Sequence, residues 1–219
     1  MKQLPLPISW AFSKNVNDFV VDECNSTAFM LLEQWPLKIR TNFVCLVGET
    51  GSGKTHLAHV WADRLGAKFL TSANIEDMLL SETVTHPYYV LDNADNISDD
   101  ILLFNIYNKI KEMDAYMLMT AQRYPAKWDT KYNDVKSRLK TIDIITIKKP
   151  NEVAINKILD QMLLQRGIIC TSDVITYITN RIERTYESMI YWVNRIDEFR
   201  QTMHGKMTLK AVREVLNDC

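Results

Sequence analysis

The chain has 219 residues, of which 47% are hydrophobic and 24% charged, the composition of one ordinary globular domain or one domain with a small appendage. Its formal charge of −1 excludes a global field that gathers nucleic acid, so any such contact has to be local. No run approaches the roughly 20 apolar residues of a membrane span, Met1–Pro7 lack the apolar core of an export signal, and the cysteines at 24, 45, 170 and 219 have no zinc or redox spacing, so a cytoplasmic protein with free thiols and no membrane contact is expected.

Residues 1–14 read as an extended tail, because Pro5 and Pro7 do not sit inside a helix. A helix is predicted over Asn25–Trp35, capped by Asn25 or Ser26 and ended by Pro36. Phe43–Val47 is a buried strand that opens directly into glycines, and a helix follows over Lys54–Leu65 with Gly66 as its C-terminal cap. A second strand is expected over Lys68–Thr71, a helix over Asn74–Leu80 and a third strand over Tyr88–Leu91. Ser98 is expected to start a helix that has Asp99 and Asp100 in its first turn and Leu103, Ile106, Tyr107, Ile110 and Met113 as its buried stripe. Strands over Tyr116–Thr120 and Ile142–Ile147 complete an alternation that means a parallel sheet covered on both faces. Beyond Pro150 the pattern is helical throughout: Glu152–Arg166 ended by Gly167, Ser172–Ile182, Thr185–Met203 and Thr208–Leu216. The predicted organisation is a tail over 1–14, an α/β nucleotide-binding domain over 15–150 and a small all-α domain over 151–219.

Gly48-Glu49-Thr50-Gly51-Ser52-Gly53-Lys54-Thr55 satisfies the Gly-x4-Gly-Lys-Ser/Thr pattern of a P-loop, and three of the chain's six glycines lie in it. Such a loop wraps a polyphosphate with backbone N–H groups, which side chains would obstruct, and glycine reaches the positive-φ conformations the wrap needs. The helix from Lys54 aims its dipole at the anion, Lys54 reaches the β- and γ-phosphates, and Thr55 is the expected Mg²⁺ ligand. The ligand read from this motif is ADP or ATP with Mg²⁺. Asp92 ends the apolar run Tyr88–Leu91 about 40 residues later, where P-loop proteins carry the aspartate that completes the Mg²⁺ shell. The next residue is Asn93, which cannot accept a proton at neutral pH, so slow hydrolysis by the chain alone is expected; Asp95 is the nearest substitute base, at an unusual spacing.

These motifs together resemble the AAA+ module of the bacterial replication initiator family, DnaA and its regulatory Hda-type homologues. Thr120-Ala121-Gln122-Arg123-Tyr124-Pro125 resembles the family's Thr-Ser-Asp-Arg-Tyr-Pro, and Val135-Lys136-Ser137-Arg138-Leu139 its Leu-Lys-Ser-Arg-Phe. Asn25–Ala28, Leu91-Asp92-Asn93 and Leu103–Asn108 are similar to further segments, so the likeness spans nearly the whole chain. The resemblance implies an AAA+ P-loop fold: a parallel five-stranded sheet with helices on both faces and a helical lid. It implies nucleotide contacts at Gly48 through Thr55, His56, Asp92 and Gln122, with Thr55 and Asp92 on Mg²⁺. It makes Arg138 an arginine finger reaching a neighbouring subunit's nucleotide, and makes Gln3, Leu4, Leu6 and Ile8 a peptide that docks on the DNA polymerase sliding clamp.

Two departures from the family stand out. The chain ends at Cys219, so the initiator's DNA-binding domain is expected to be missing, and the lid arginine that senses a γ-phosphate aligns with Glu187, a carboxylate that would repel it. The implied function is a nucleotide-binding regulator of replication initiation that sits on the clamp, contacts DNA mainly through it, and stimulates ATP hydrolysis by the initiator. Homo-oligomerisation stays open. The alternatives are a helicase-loader-like or DNA-positioning factor, which the balanced charge disfavours, and a small-molecule P-loop kinase, for which residues 151–219 lack an arginine-rich phosphate lid.

Overall fold

β1 (Phe43–Val47) is buried at all five positions, as an apolar strand covered on both faces must be. In the computed structural model, which describes residues 19–38, 41–81, 86–202 and 207–217, it stands in a parallel sheet of order β2-β3-β4-β1-β5. The other strands are β2 (Lys68–Phe69), β3 (Tyr88–Leu91), β4 (Tyr116–Ala121) and β5 (Asp143–Thr146). The expected tail peptide, with Gln3, Leu4, Leu6 and Ile8, lies outside the described residues.

Strand side chains alternate between two cores. Phe43, Cys45, Val47, Leu91, Met117 and Met119 face α3 (Ile75–Leu80), α4 (Asp100–Glu112) and α5 (Asn133–Leu139). Val44, Leu46, Val90 and Leu118 face α1 (Ser26–Gln34) and α2 (Lys54–Leu65). Each fully buried aliphatic side chain contributes about 1.5–3 kcal/mol. On the second face Trp35 stacks on Trp61 with centroids 4.7 Å apart, and Tyr88 and Tyr116 close the cluster at the N-terminal ends of their strands. The Arg64 guanidinium caps the end of α1 by donating to the carbonyls of Leu32, Glu33 and Trp35. The opposite, C-terminal ends of the strands are thereby left for the P-loop.

A third core holds α6 (Glu152–Gln165), α7 (Ser172–Thr179), α8 (Tyr186–Thr202) and α9 (Leu209–Asn217), and it also takes in Val20. The helical C-terminal region is therefore as expected, but it is tied to the segment before α1.

Several boundaries differ from the sequence reading for identifiable reasons. β2 stops at Phe69, because the Asn74 side chain turns residues 70–74 by bonding the Phe69 carbonyl and the Thr71 N–H. Asp99 caps α4, accepting from Ile101 and Leu102 N–H at 2.9 and 3.1 Å, where Ser98 was the expected start. The side chain of Asn25 does not cap α1; its amide bonds the Val20 carbonyl and the Asp22 N–H and so folds the turn ahead of the helix. α5 had no counterpart among the predicted elements.

Candidate nucleotide site

The P-loop leaves β1 with its conformation already set by close contacts. A Cβ on Gly48 would stand 2.6 Å from Ile147 and 2.7 Å from Ser52 Oγ, so only glycine fits. Gly51 and Gly53 have φ of +77° and +91°, the left-handed region that side chains disfavour. Gly48 N–H donates to the Ala121 carbonyl at 3.2 Å, which fixes the loop's start against the end of β4.

Gly53, the residue before α2, supplies no side-chain cap to that helix. The positive end of the dipole of α2 lies at the loop and favours an anion there. Lys54 is buried at 6% exposure, with Nζ donating to the Glu49 carbonyl across the loop at 2.9 Å. Ser52 Oγ is buried within the loop without a hydrogen-bond partner among the described residues. A backbone cradle that a Cβ would fill, an embedded lysine and an orphaned hydroxyl fit a polyphosphate.

Asp92 follows β3 and accepts from Thr55 Oγ1 on both carboxylate oxygens at 3.0 and 3.1 Å. Thr120, fully buried on β4, donates to Asp92 Oδ1 at 2.5 Å and accepts the Asn93 N–H at 2.8 Å. Asn93 sits in the left-handed region, φ 52°, a conformation asparagine tolerates better than most residues. A threonine hydroxyl and a carboxylate side by side are the hard oxygen donors that Mg²⁺ takes when phosphates and water complete its shell. Thr55 and Asp92 would hold that ion; it would supply charge neutralisation between phosphate oxygens.

Beside the loop lies a cleft with one wall from Phe19, Val20, Cys24 and Asn25, a floor from Gly51, Ser52, Gly53 and His56, and a lid side from Ile158 and Met189. His56 is buried and meets Phe19 edge-on at 5.3 Å. The cleft is lined mainly by apolar groups and borders the phosphate cradle. Burial, then the charge of Asp22, raises the Cys24 thiol above its ordinary value, so this wall is neutral. Thr185, just ahead of α8, stands 3.3 Å from where a Gly51 Cβ would be, so the lid touches the loop directly.

Residues 48–56 and Asp92 lie together, and Gln122 stands at the exposed end of β4, one residue beyond the Gly48 contact. Arg138 does not join them. It lies on α5, stacked over the Phe104 ring at 4.2 Å, with Nε bonded to Asn108 and Nη1 to the Asp134 carbonyl. Asp95 turns away from the P-loop toward Gln122 and Arg123, so the substitute-base reading has no support in its geometry. The side chain of Glu187 lies outside those described. Thr120 and the cleft-lining Phe19, Val20, Ile158 and Met189 were not singled out; a threonine in an apolar strand next to one ending in aspartate was the available signal for the first.

No family model matches the chain. Among solved structures it is similar to domain III of the Thermotoga maritima replication initiation protein DnaA, with a TM-score of 0.79 and 17% identity over 94% of this chain and 96% of that one. It is similar to AMPPCP-bound DnaA from Aquifex aeolicus, with a TM-score of 0.67 and 18% identity over 84% of this chain and 64% of that one. It is also similar to the Thermotoga maritima RuvB Holliday junction branch migration motor, with a TM-score of 0.70 and 18% identity over 94% of this chain and 72% of that one. At such identities the likeness shows the fold alone: the chain has an AAA+-like α/β fold, a five-stranded parallel sheet with helices and a helical C-terminal region, similar in structure to DnaA domain III and RuvB.

Proposed function

We propose that the chain binds ADP or ATP with Mg²⁺ in the loop Gly48–Thr55 and acts as a regulator of replication initiation rather than as a fast ATPase. The observation that carries the nucleotide reading is the prearranged cradle: left-handed Gly51 and Gly53, buried Lys54, and Thr55 hydrogen-bonded to Asp92. In it the loop N–H groups bind the phosphates, Lys54 neutralises them, and Gln122 meets the terminal one. Asn93 offers no base beside Asp92, and Asp95 is committed to β4, which supports slow turnover by the chain itself.

The regulatory part rests on the resemblance in sequence. Gln3, Leu4, Leu6 and Ile8 would seat the chain on the sliding clamp as an extended peptide filling apolar pockets, and DNA would be met through the clamp. Arg138 would stimulate ATP hydrolysis on a DnaA-type initiator by reaching its nucleotide in trans. Its stack on Phe104 holds the guanidinium in one orientation, and Nη2 makes no hydrogen bond among the described residues, which is compatible with such a reach.

The test is single-turnover hydrolysis of ATP preloaded on the initiator, with clamp on DNA. The parent protein accelerates it. Arg138→Ala loses the acceleration, which for arginine fingers in general is about 10³–10⁵-fold, and Arg138→Lys rescues poorly, because a point charge lacks the planar donor fork. A chain lacking residues 1–8 is inactive in the same assay while binding nucleotide normally. Full stimulation by Arg138→Ala makes Arg138 a surface residue.

A further inference from the structure

Past the end of β3 the chain makes a left-handed step at Asn93 and a 3-10 turn over Ala94–Asn96, which carries Asp95 across to the end of β4. There its carboxylate, only 4% exposed, accepts the backbone N–H of Gln122 at 3.0 Å and of Arg123 at 3.1 Å through one oxygen, Oδ2. Arg123 answers twice: Nε stands 3.6 Å from the same oxygen, and Nη2 donates to the Asp95 carbonyl at 2.9 Å. The other oxygen, Oδ1, is buried without a hydrogen-bond partner among the described residues. Burying a carboxylate with half its acceptors unused is poor economy for stability alone, since an apolar side chain does as well in such a place. What the arrangement does provide is a fixed position for residues 122 and 123, where β4 has already left the sheet.

We infer that Asp95 is a positioning residue: it holds the backbone of Gln122 so that the Gln122 amide meets the terminal phosphate of a bound triphosphate. This role rests on the nucleotide reading of the P-loop. Two stitches join the ends of β3 and β4, one through Thr120 to Asp92 and Asn93, the other through Asp95 to Gln122 and Arg123. The first sets the oxygens offered to Mg²⁺. The second sets the side chain that distinguishes a triphosphate from a diphosphate.

The test is calorimetric titration with ADP and with ATP of the full chain, Asp95→Ala, Asp95→Asn, Gln122→Ala and the Asp95→Ala/Gln122→Ala double variant, each with its thermal midpoint measured. The inference requires that the parent protein prefer ATP in spite of the carboxylate at Glu187. Asp95→Ala brings the ATP:ADP affinity ratio close to one, leaves ADP affinity within about twofold, and adds nothing in the Gln122→Ala background, the non-additivity of residues acting as one unit. Asp95→Asn, which keeps an acceptor for the two N–H groups, retains part of the preference. The inference is overturned by an unchanged ratio in folded Asp95→Ala and Asp95→Asn, by effects that add to those of Gln122→Ala, or by equal loss of both ligands. A parent protein that binds ATP and ADP equally also overturns it while the nucleotide reading stands. A parent protein that binds neither removes that reading and this role with it.

Discussion

Cys45 stands in the middle of the central strand with no exposed surface, and its thiol is pushed up from 9.0 to about 12, first by burial and then by the charge of Asp95. The folded state therefore keeps its proton where the unfolded chain has lost it. The thiol's contribution to stability is whole below pH 9 and is lost as the pH rises from 9 toward 12, by up to about 1.4 kcal/mol per pH unit. Urea unfolding of the parent and of Cys45→Ala between pH 8 and about 11 should give a steeper fall for the parent. Parallel slopes in the two proteins contradict the assignment. At this same scale the sequence reading of Asn93 was incomplete. Its chemistry, the lack of a base, is visible in the residue type. Its left-handed φ of 52°, which sends the chain back toward β4, is a conformation that no neighbouring residue in the sequence announces.

Among the elements, the P-loop is the one most plainly written in the sequence, because its work is done by backbone and demands residues without side chains. Gly48→Ala tests how tightly it is held. The added Cβ would meet Ile147 and Ser52 at 2.6–2.7 Å. The expected cost is about 1–3 kcal/mol of stability, as for overpacking in general, together with a clear loss of nucleotide affinity from the displaced loop. Thermal unfolding and titration with ADP measure the two, and a variant unchanged in both contradicts the account of the loop. The strands were legible as apolar runs, since parallel strands covered on both faces need no alternation. α5 was not, because its seven residues offer only Val135 and Leu139 as buried positions, too few to show a helical period against the charges around them. The Asp95 stitch was equally hidden: it depends on which strands lie side by side, and β3 and β4 are neighbours in space but 25 residues apart, counting from Leu91 to Tyr116.

For the molecule as a whole, the consequential feature is that the cleft beside the P-loop has walls from three parts of the chain. The turn before α1 supplies Phe19 and Val20, the loop and α2 supply Gly51 through His56, and the lid supplies Ile158 and Met189. Val20 belongs to the lid core, while its neighbour Phe19 packs with the α1–α2 core. Asp22 pairs with Lys157 of α6 at 3.3 Å, a second tie between the turn and the lid. Such exposed pairs contribute little energy, about 0–1 kcal/mol, so the apolar contacts carry the attachment. The helical character of the region beyond Pro150 could be read from the change of pattern there; the sharing of the cleft could not, because it arises only when residues 19–25 fold back on the C-terminal helices. The most direct measurement is calorimetric titration of the parent and of Lys54→Ala with ADP, with and without Mg²⁺. The account predicts one site per chain in the parent, tighter with Mg²⁺, and a loss of at least about tenfold to a hundredfold in Lys54→Ala, the weight of a charge-assisted hydrogen bond. An affinity unchanged in a folded Lys54→Ala protein would contradict it.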